Sequence, residues 1–320
     1  MGAQSAQQPP ELTGSGRQTR DRAGDVLLKW GTGLAALAAL VLMGLIAYEV
    51  VQGAWPAIKE FGLGFLVDDI WDPVTSQFGA LAFIYGTAFT AFTALLVAAP
   101  VSIAIGLYLS ELAPRPARAV IGPLVELLAA IPSVVLGLWG ILVLGPFVQS
   151  TLGPFLQSFL GWTPFFSGTP RVSGYLSAVI VLSIMIVPIS SSIARELFLQ
   201  VPSDVKEGAV GLGLTRWEMV RGVMLPFTRA GLVAALLLGM GRAIGEAIAV
   251  TQVIGNTANI TVDFFATGDT LASRIAAQYQ GAASDMQVAS LFYLAVILLA
   301  ISLVTNVAAQ LIVRRFAVHK

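Results

Sequence analysis

Residues 286–312 read MQVASLFYLAVILLAISLVTNVAAQLI, an apolar run without one Asp, Glu, Lys or Arg. A helix of roughly 20 such residues crosses the ~30 Å hydrocarbon core of a bilayer. Within lipid a spanning segment must satisfy its own backbone polar groups, and a helix does so. Toward the N-terminus five more runs of this kind lie near Lys29–Val51, Ala80–Leu109, Ala119–Val143, Gly174–Ala194 and Ala230–Ile254. The expected fold is therefore an all-α integral membrane protein with about six transmembrane helices. Composition agrees, since 56% of the 320 residues are hydrophobic and only 11% charged, far from the balance of a soluble domain. The membrane domain is expected over 26–315. A disordered tail over 1–25, rich in Gln, Pro and Gly, precedes it, and a short tail over 316–320 follows.

Six spans place both termini on one side, and the Lys/Arg distribution selects that side. Arg17, Arg20, Arg22, Lys29, Arg115, Arg118, Arg195, Lys206, Arg216, Arg221, Arg229, Arg314, Arg315 and Lys320 share one side, 14 of the 18 basic residues. Lys59, Arg171 and Arg274 fall on the other, and Arg242 sits inside a span. The termini and the loops near 112–118 and 196–229 are thus expected in the cytoplasm, in a multi-pass membrane protein. The outer loops carry Trp55, Phe61, Phe65 and Trp71 around Asp68, Asp69 and Asp72, then Trp162, Phe165 and Phe166. These read as an interfacial aromatic belt or as a docking surface for an external partner.

Several functions are excluded by what is missing. There is no cysteine, hence no disulfide, thiolate nucleophile or cysteine-ligated metal, and the single histidine is His319 in the tail. No metal site is expected. Net charge is zero, which gives no footprint for nucleic acid. No Gly-Lys dipeptide is present, so no phosphate-cradling loop of the G-x4-G-K-[ST] kind exists, and any ATP used must be hydrolysed by another chain.

Between the fourth and fifth spans, in a loop at about 200–226, the sequence runs Glu207-Gly208-Ala209, three residues, Gly213, nine residues, then Val223-Met224-Leu225-Pro226. Asp204 is placed to cap a short helix that Gly213 ends, and Thr215 with Glu218 spells a capping box for the next helix. The product is a helix, a sharp turn and a helix on the cytoplasmic side. This pattern resembles the E-A-A, x3, G, x9, I-x-L-P signature of ABC importer permeases, with Gly208 and Val223 as mild departures. The resemblance implies the type I permease fold and a coupling helix, involving Glu207, Gly208, Ala209, Gly213, Leu225 and Pro226, that sits in an ATPase subunit. The alternative for the segment is an ordinary amphipathic interfacial helix.

The fifth span contains Gly241-Arg242-Ala243-Ile244-Gly245-Glu246. An arginine inside a span costs about 2.5–3.5 kcal/mol on insertion scales and is expected to face protein or water. Glu246 follows four residues later on the same helical face, so the two charges are expected to neutralise each other locally, and Gly241, Gly245 and Ala249 form a small-xxx-small packing stripe. Residue chemistry leaves two readings: a structural ion pair, or a substrate-path site whose guanidinium fork meets an oxyanion. The run G-R-A-I-G-E, with Ile84-Tyr85-Gly86-Thr87, Glu126 to Ser133, Gly137 to Gly140 and Leu225 to Thr228, resembles the C-type permeases of phosphate-specific importers over about residues 26–315. That resemblance implies Arg242 and Glu246 in phosphate passage. It also implies a second, related permease subunit, two ATPase subunits, a soluble external phosphate-binding protein, and no cofactor on this chain.

Weaker candidates are Glu126, expected as a buried hydrogen-bonded carboxyl two turns inside the third span, with Tyr85, Thr87 and Ser133. Thr87, Thr90 and Thr93 are expected to bond back to their helix or across to a neighbour. Pro132 and Pro188 are expected to kink their spans. The expected function is an ATP-driven phosphate importer permease, not an enzyme. The alternatives are a permease for sulfate or molybdate, and an ion-coupled secondary transporter using the buried charges.

Overall fold

The computed structural model describes residues 15–316, with side chains over 25–315. The helices are α1 (Ser15–Phe61), α2 (Leu81–Leu107), α3 (Arg115–Ala129), α4 (Ser133–Trp139), α5 (Gly145–Phe147), α6 (Gly153–Leu160), α7 (Tyr175–Leu199), α8 (Ser203–Gly211), α9 (Arg216–Met219), α10 (Leu225–Ile244), α11 (Ile248–Val253), α12 (Leu271–Gln278) and α13 (Asp285–Phe316). A two-residue hairpin pairs β1 (Trp71–Asp72) with β2 (Gln77–Phe78). The chain divides into two compact units, 1–52 and 53–320. Within the first, α1 begins at Ser15, inside the stretch expected as a tail, because a helix already nucleated by its apolar run adds one hydrogen bond for each further residue it fixes. Residues 1–14 and 317–320 lie outside the described residues, and His319 with them.

Among the described residues six helical segments are long and apolar enough to span a membrane: Asp25–Leu66, Leu81–Leu112, Ser133–Leu160, Tyr175–Leu199, Arg216–Ile244 and Asp285–Arg315. The third differs from the expected Ala119–Val143. Pro132 has no N–H to donate, and a residue before proline avoids the α region. The helix therefore ends at Ala129, and the span begins afresh at Ser133. Glu126 consequently lies on the separate helix α3, exposed, with Oε1 3.6 Å from Arg195 Nη1. It is not a buried carboxyl within a span. Pro188, by contrast, sits inside the continuous helix α7.

Four other prolines follow wide turns. π-Helical turns at Tyr108–Leu112, Gly140–Leu144, Val148–Leu152 and Val220–Met224 are each followed two residues later by Pro114, Pro146, Pro154 or Pro226. A proline removes one i→i−4 bond and crowds that carbonyl, and an i→i−5 turn just before it relieves both effects.

The centre of the second unit is the pair α2 and α7, with α10 against both. Lipid offers no hydrophobic drive between helices, so close packing by small residues must hold them. Ala91, Ala94 and Ala98 of α2 are buried with Val179, Leu182 and Ile186 of α7. A Cβ built on Gly106 would stand 2.8 Å from Ala194 Cβ, and one on Gly239 of α10 would stand 2.8 Å from Ile186 Cγ2. These glycines mark the close approaches. The anticipated Gly241, Gly245, Ala249 stripe does not form one: Gly241 has no neighbour nearer than 3.9 Å, and the helix breaks at Gly245.

At the end expected to face outward a second cluster, built on Phe65, Phe78, Phe83, Leu271 and Leu294, makes a cap, the outer cap below. Phe65 stacks on Tyr293 with centroids 4.4 Å apart, and Trp71 meets Phe78 and Phe83 edge-on. Most aromatics of the first outer loop thus form core rather than a belt, whereas Trp162 stays exposed.

Candidate functional site

Three places carry the chemistry: the break between α10 and α11, a buried ion pair in the outer cap, and the α8–α9 turn on the opposite side.

α10 stops at Ile244, and Gly245 and Glu246 turn the chain into α11. Arg242 stands in the last turn of α10, where a helix C-terminus favours a cation. It is exposed, and it forms no hydrogen bond or ion pair with another described residue. Glu246 does not face Arg242 as an i, i+4 partner, because the helix that would align them is broken. Instead its Oε1 accepts from the N–H of Ala249 at 3.2 Å, satisfying a free donor at the start of α11. The expected local neutralisation is therefore corrected: Arg242 keeps its whole donor fork, and Glu246 keeps one oxygen free of protein donors.

α11 lies against α4. An ideal Cβ on Gly137 would be 2.9 Å from Ala249 Cα and from Gln252 Cδ, and one on Gly140 would be 2.6 Å from Val253 Cγ1. Contacts advance in the same direction on both helices, so they run parallel, and Ser133 and Glu246 occupy the same end of the pair. Ser133, a weaker candidate, is half-buried at the first position of α4. Of the remaining weaker candidates Tyr85 and Thr87 belong to the outer cap. Tyr85 donates its hydroxyl to Thr261 O at 2.8 Å, while Thr87 Oγ1 donates to Phe83 O at 2.7 Å and accepts from Leu271 N at 3.0 Å.

The cap also holds a pair that the charge count placed as an ordinary outer-loop cation. Arg274 Nε stands 2.8 Å from Asp269 Oδ2, with both side chains almost wholly buried. Asp269 Oδ1 accepts from Thr270 N at 2.8 Å, and Arg274 Nη2 donates to Asn256 O at 3.1 Å. The guanidinium lies 4.7 Å over the Phe83 ring, a cation–π geometry. Burial pushes the Asp269 carboxyl up, opposed by the Arg274 charge, and pushes the Arg274 guanidinium down, opposed by Asp269. Asn256, at φ +54°, bonds Thr251 O and Ser273 Oγ, so the chain leaving α11 is tied to the start of α12. The visible signal was an acid five residues before an arginine with a Thr cap between them, Asp269-Thr270…Arg274.

On the side expected to be cytoplasmic, the capping box reads out as anticipated. Thr215 Oγ1 accepts from Glu218 N at 3.3 Å, and Glu218 Oε2 accepts from Thr215 N at 2.8 Å. Asp204 is not the cap of α8. Pro202 holds that position, its carbonyl accepting from Lys206 N, and Asp204 sits in the first turn, where an acid still complements the dipole. Gly213, at φ +85°, closes α8 with Leu214 N bonded to Ala209 O at 3.2 Å, a left-handed cap. Ala209 is buried against Met219, Val220 and Met224. Lys206 Nζ bonds Glu111 at 2.5 Å and Phe198 O at 3.2 Å, fixing α8 to the ends of α2 and α7. Glu207 and Gly208 are exposed, as is Pro226, while Leu225 is half-buried. Sequence reasoning missed the outward side of this turn: Leu212 is 86% exposed and Trp217 65%.

Residues 101–318 match the family of binding-protein-dependent transport system inner membrane components. The chain is 42% identical over 295 residues to the phosphate transport system permease protein PstC of Mesorhizobium japonicum, with 91% of this chain and 90% of that one covered. It is 41% identical to the protein of the same name from Haemophilus influenzae, covering 90% and 93%. In fold it is similar to a chain in the crystal structure of a bacterial alginate ABC transporter in complex with an alginate-bound periplasmic protein. That match has a TM-score of 0.57 at 19% identity and covers 91% of this chain and 97% of the other.

Proposed function

Because the chain belongs to the binding-protein-dependent inner membrane components and, within them, to the PstC phosphate permeases, we infer that it is the permease subunit of an ATP-driven importer carrying inorganic phosphate across the cytoplasmic membrane. The chain lacks a nucleotide-binding loop, so ATP is hydrolysed by ATPase subunits, and this chain binds no cofactor. We place one of two such subunits on the α8–α9 turn of this chain, where exposed Leu212 and Trp217 give its cleft something apolar to hold, and the other on the second permease. A second, related permease completes the pore, an external binding protein delivers phosphate to the capped face, and both termini lie in the cytoplasm.

The observation that carries the substrate path is the exposed, unpartnered Arg242 beside the helix break. Left against lipid, such a residue costs about 2.5–3.5 kcal/mol. Facing a water-filled path closed by a second subunit, it offers a planar donor fork to an oxyanion. Glu246 supplies the discrimination. Phosphate near neutral pH still carries a proton and can donate to the free carboxylate oxygen, whereas sulfate only accepts and meets a like charge.

The test is paired phosphate and sulfate uptake, with membrane abundance measured for each variant. Arg242→Lys retains charge but loses the fork, and phosphate uptake is expected to fall about 10- to 100-fold, the weight of one charge-assisted hydrogen bond of ~1.5–3 kcal/mol. Glu246→Gln keeps an oxygen for the Ala249 N–H and removes the charge, so sulfate exclusion weakens while assembly holds. If both variants carry phosphate at the parent rate and still exclude sulfate, selection lies elsewhere.

A further inference from the structure

Neither the path nor the coupling turn uses the polar face of α3. There a cavity of about 380 Å³ is lined by Arg115, Arg118, Ala119, Pro123, Glu126 and Arg195, where α3 packs on the end of α7. Three guanidinium groups face one carboxylate. Arg118 donates from Nη2 to Ser110 O at 2.7 Å, and Arg195 Nη1 stands 3.6 Å from Glu126 Oε1, longer than a hydrogen bond. The Nε atoms of both arginines are buried without a hydrogen-bond partner, a condition that buried donors rarely tolerate. With three guanidinium groups to one carboxylate the cavity carries surplus positive charge, and the complement is a small anion with several acceptor oxygens.

The opposite face of α3 says where that anion comes from. Val120, Leu124, Leu127 and Leu128 recur at helical spacing and are exposed. A helix with arginines on one face and an apolar row on the other settles at headgroup level, which puts the cavity at the depth of lipid phosphates. We propose that Arg115, Arg118 and Arg195 bind the phosphate of an anionic phospholipid in the inner leaflet, with Glu126 competing for Arg195. Guanidinium forks match phosphate oxygens bidentately. Inorganic phosphate offers the same oxygens, but nothing holds it at the headgroup plane.

The test uses the full importer complex in nanodiscs of phosphatidylcholine doped with phosphatidylglycerol, followed by native mass spectrometry of the lipid retained on extraction. Arg118→Gln with Arg195→Gln is expected to lose phosphatidylglycerol retention on the order of a hundred-fold, the weight of two charge-assisted hydrogen bonds to the lipid phosphate. Glu126→Gln is expected to raise retention by freeing Arg195, a gain that damage to the fold would not produce. Arg314→Gln with Arg315→Gln removes equal charge away from the cavity and is expected to leave retention unchanged. Excess inorganic phosphate is expected not to displace the lipid. Unchanged retention in the first double variant, an equal loss in the Arg314/Arg315 control, or displacement by inorganic phosphate overturns the proposal. Should the first double variant fail to assemble, absence of the Glu126→Gln gain overturns it.

Discussion

Replacing Arg274 with Met is expected to open the outer cap. The side chain leaves Asp269 as a carboxylate with none of its surface in water, 2.8 Å from where its partner charge had been. Removing one member of a buried pair costs about 3–5 kcal/mol because the other charge stays behind. Arg274 also gives up its bond to Asn256 O and its place over Phe83. Since the segment from Asn256 through α12 is held to α2 by Leu271 N on Thr87 Oγ1 and to α7 by the Tyr175 hydroxyl on Asn259 O, the loss falls on that segment. At about tenfold per 1.4 kcal/mol, the population of open cap rises roughly a hundred- to several-thousand-fold. Hydrogen exchange over residues 255–285 of the membrane-embedded protein reads this directly. Asp269→Asn alone strands the guanidinium and is expected to open the cap comparably, because burial works against that cation too. The double variant, Asp269→Asn with Arg274→Met, carries no buried charge and is expected to protect the cap better than either single change. The reasoning fails if either single variant exchanges within a few-fold of the parent, or if the double variant exchanges faster than both.

Gly213 offers a sharper separation of folding from coupling. Its surroundings are open, so only φ +85° constrains it; alanine there costs about 1–2 kcal/mol, while proline, locked near −65°, cannot adopt the turn. Gly213→Pro is expected to abolish phosphate-stimulated ATP hydrolysis with membrane abundance intact, and normal stimulation would remove the coupling role from α8. For orientation, a cysteine at Val74, 92% exposed, is expected to react with an impermeant thiol reagent in intact cells, and one at Leu212, 86% exposed on this chain, only after lysis and release of the ATPase subunit that covers it. Reaction of both from outside refutes the topology.

What was legible in the sequence was local. Six apolar runs gave six spans, and the Thr215–Glu218 capping box formed as spelled, because a box needs only its own four residues. The third span was misplaced because hydropathy does not register that Pro132 stops a helix, so an apolar face of α3 was joined to α4. Thr87 showed both bonds that its position allowed, back to Phe83 and across to Leu271. Arg274 was legible as a charge but not as a buried one. Its burial depends on Phe83 and Trp71, which lie far back in the chain and on the hairpin. Aromatic residues in a loop look alike whether they line an interface or close a cap.

The break at Gly245 changes what Arg242 and Glu246 can do. On an unbroken helix Arg242 and Glu246 would stand one turn apart and satisfy each other, and such a pair has little left for a passing anion. Glycine and the turn after it remove that alignment. Glu246 then answers a donor that every helix start leaves open, holding its carboxylate in place with one oxygen. Arg242 is released at the last turn of α10, where the helix end itself stabilises the cation. A helix interrupted where it lines a water-filled cavity places its termini and their charges on that cavity rather than in lipid. On the proposed path, the glycine thus separates a structural ion pair into a donor fork and a discriminating acceptor. The two charges stay close in the chain without neutralising each other, so a protonated oxyanion can meet both as it passes.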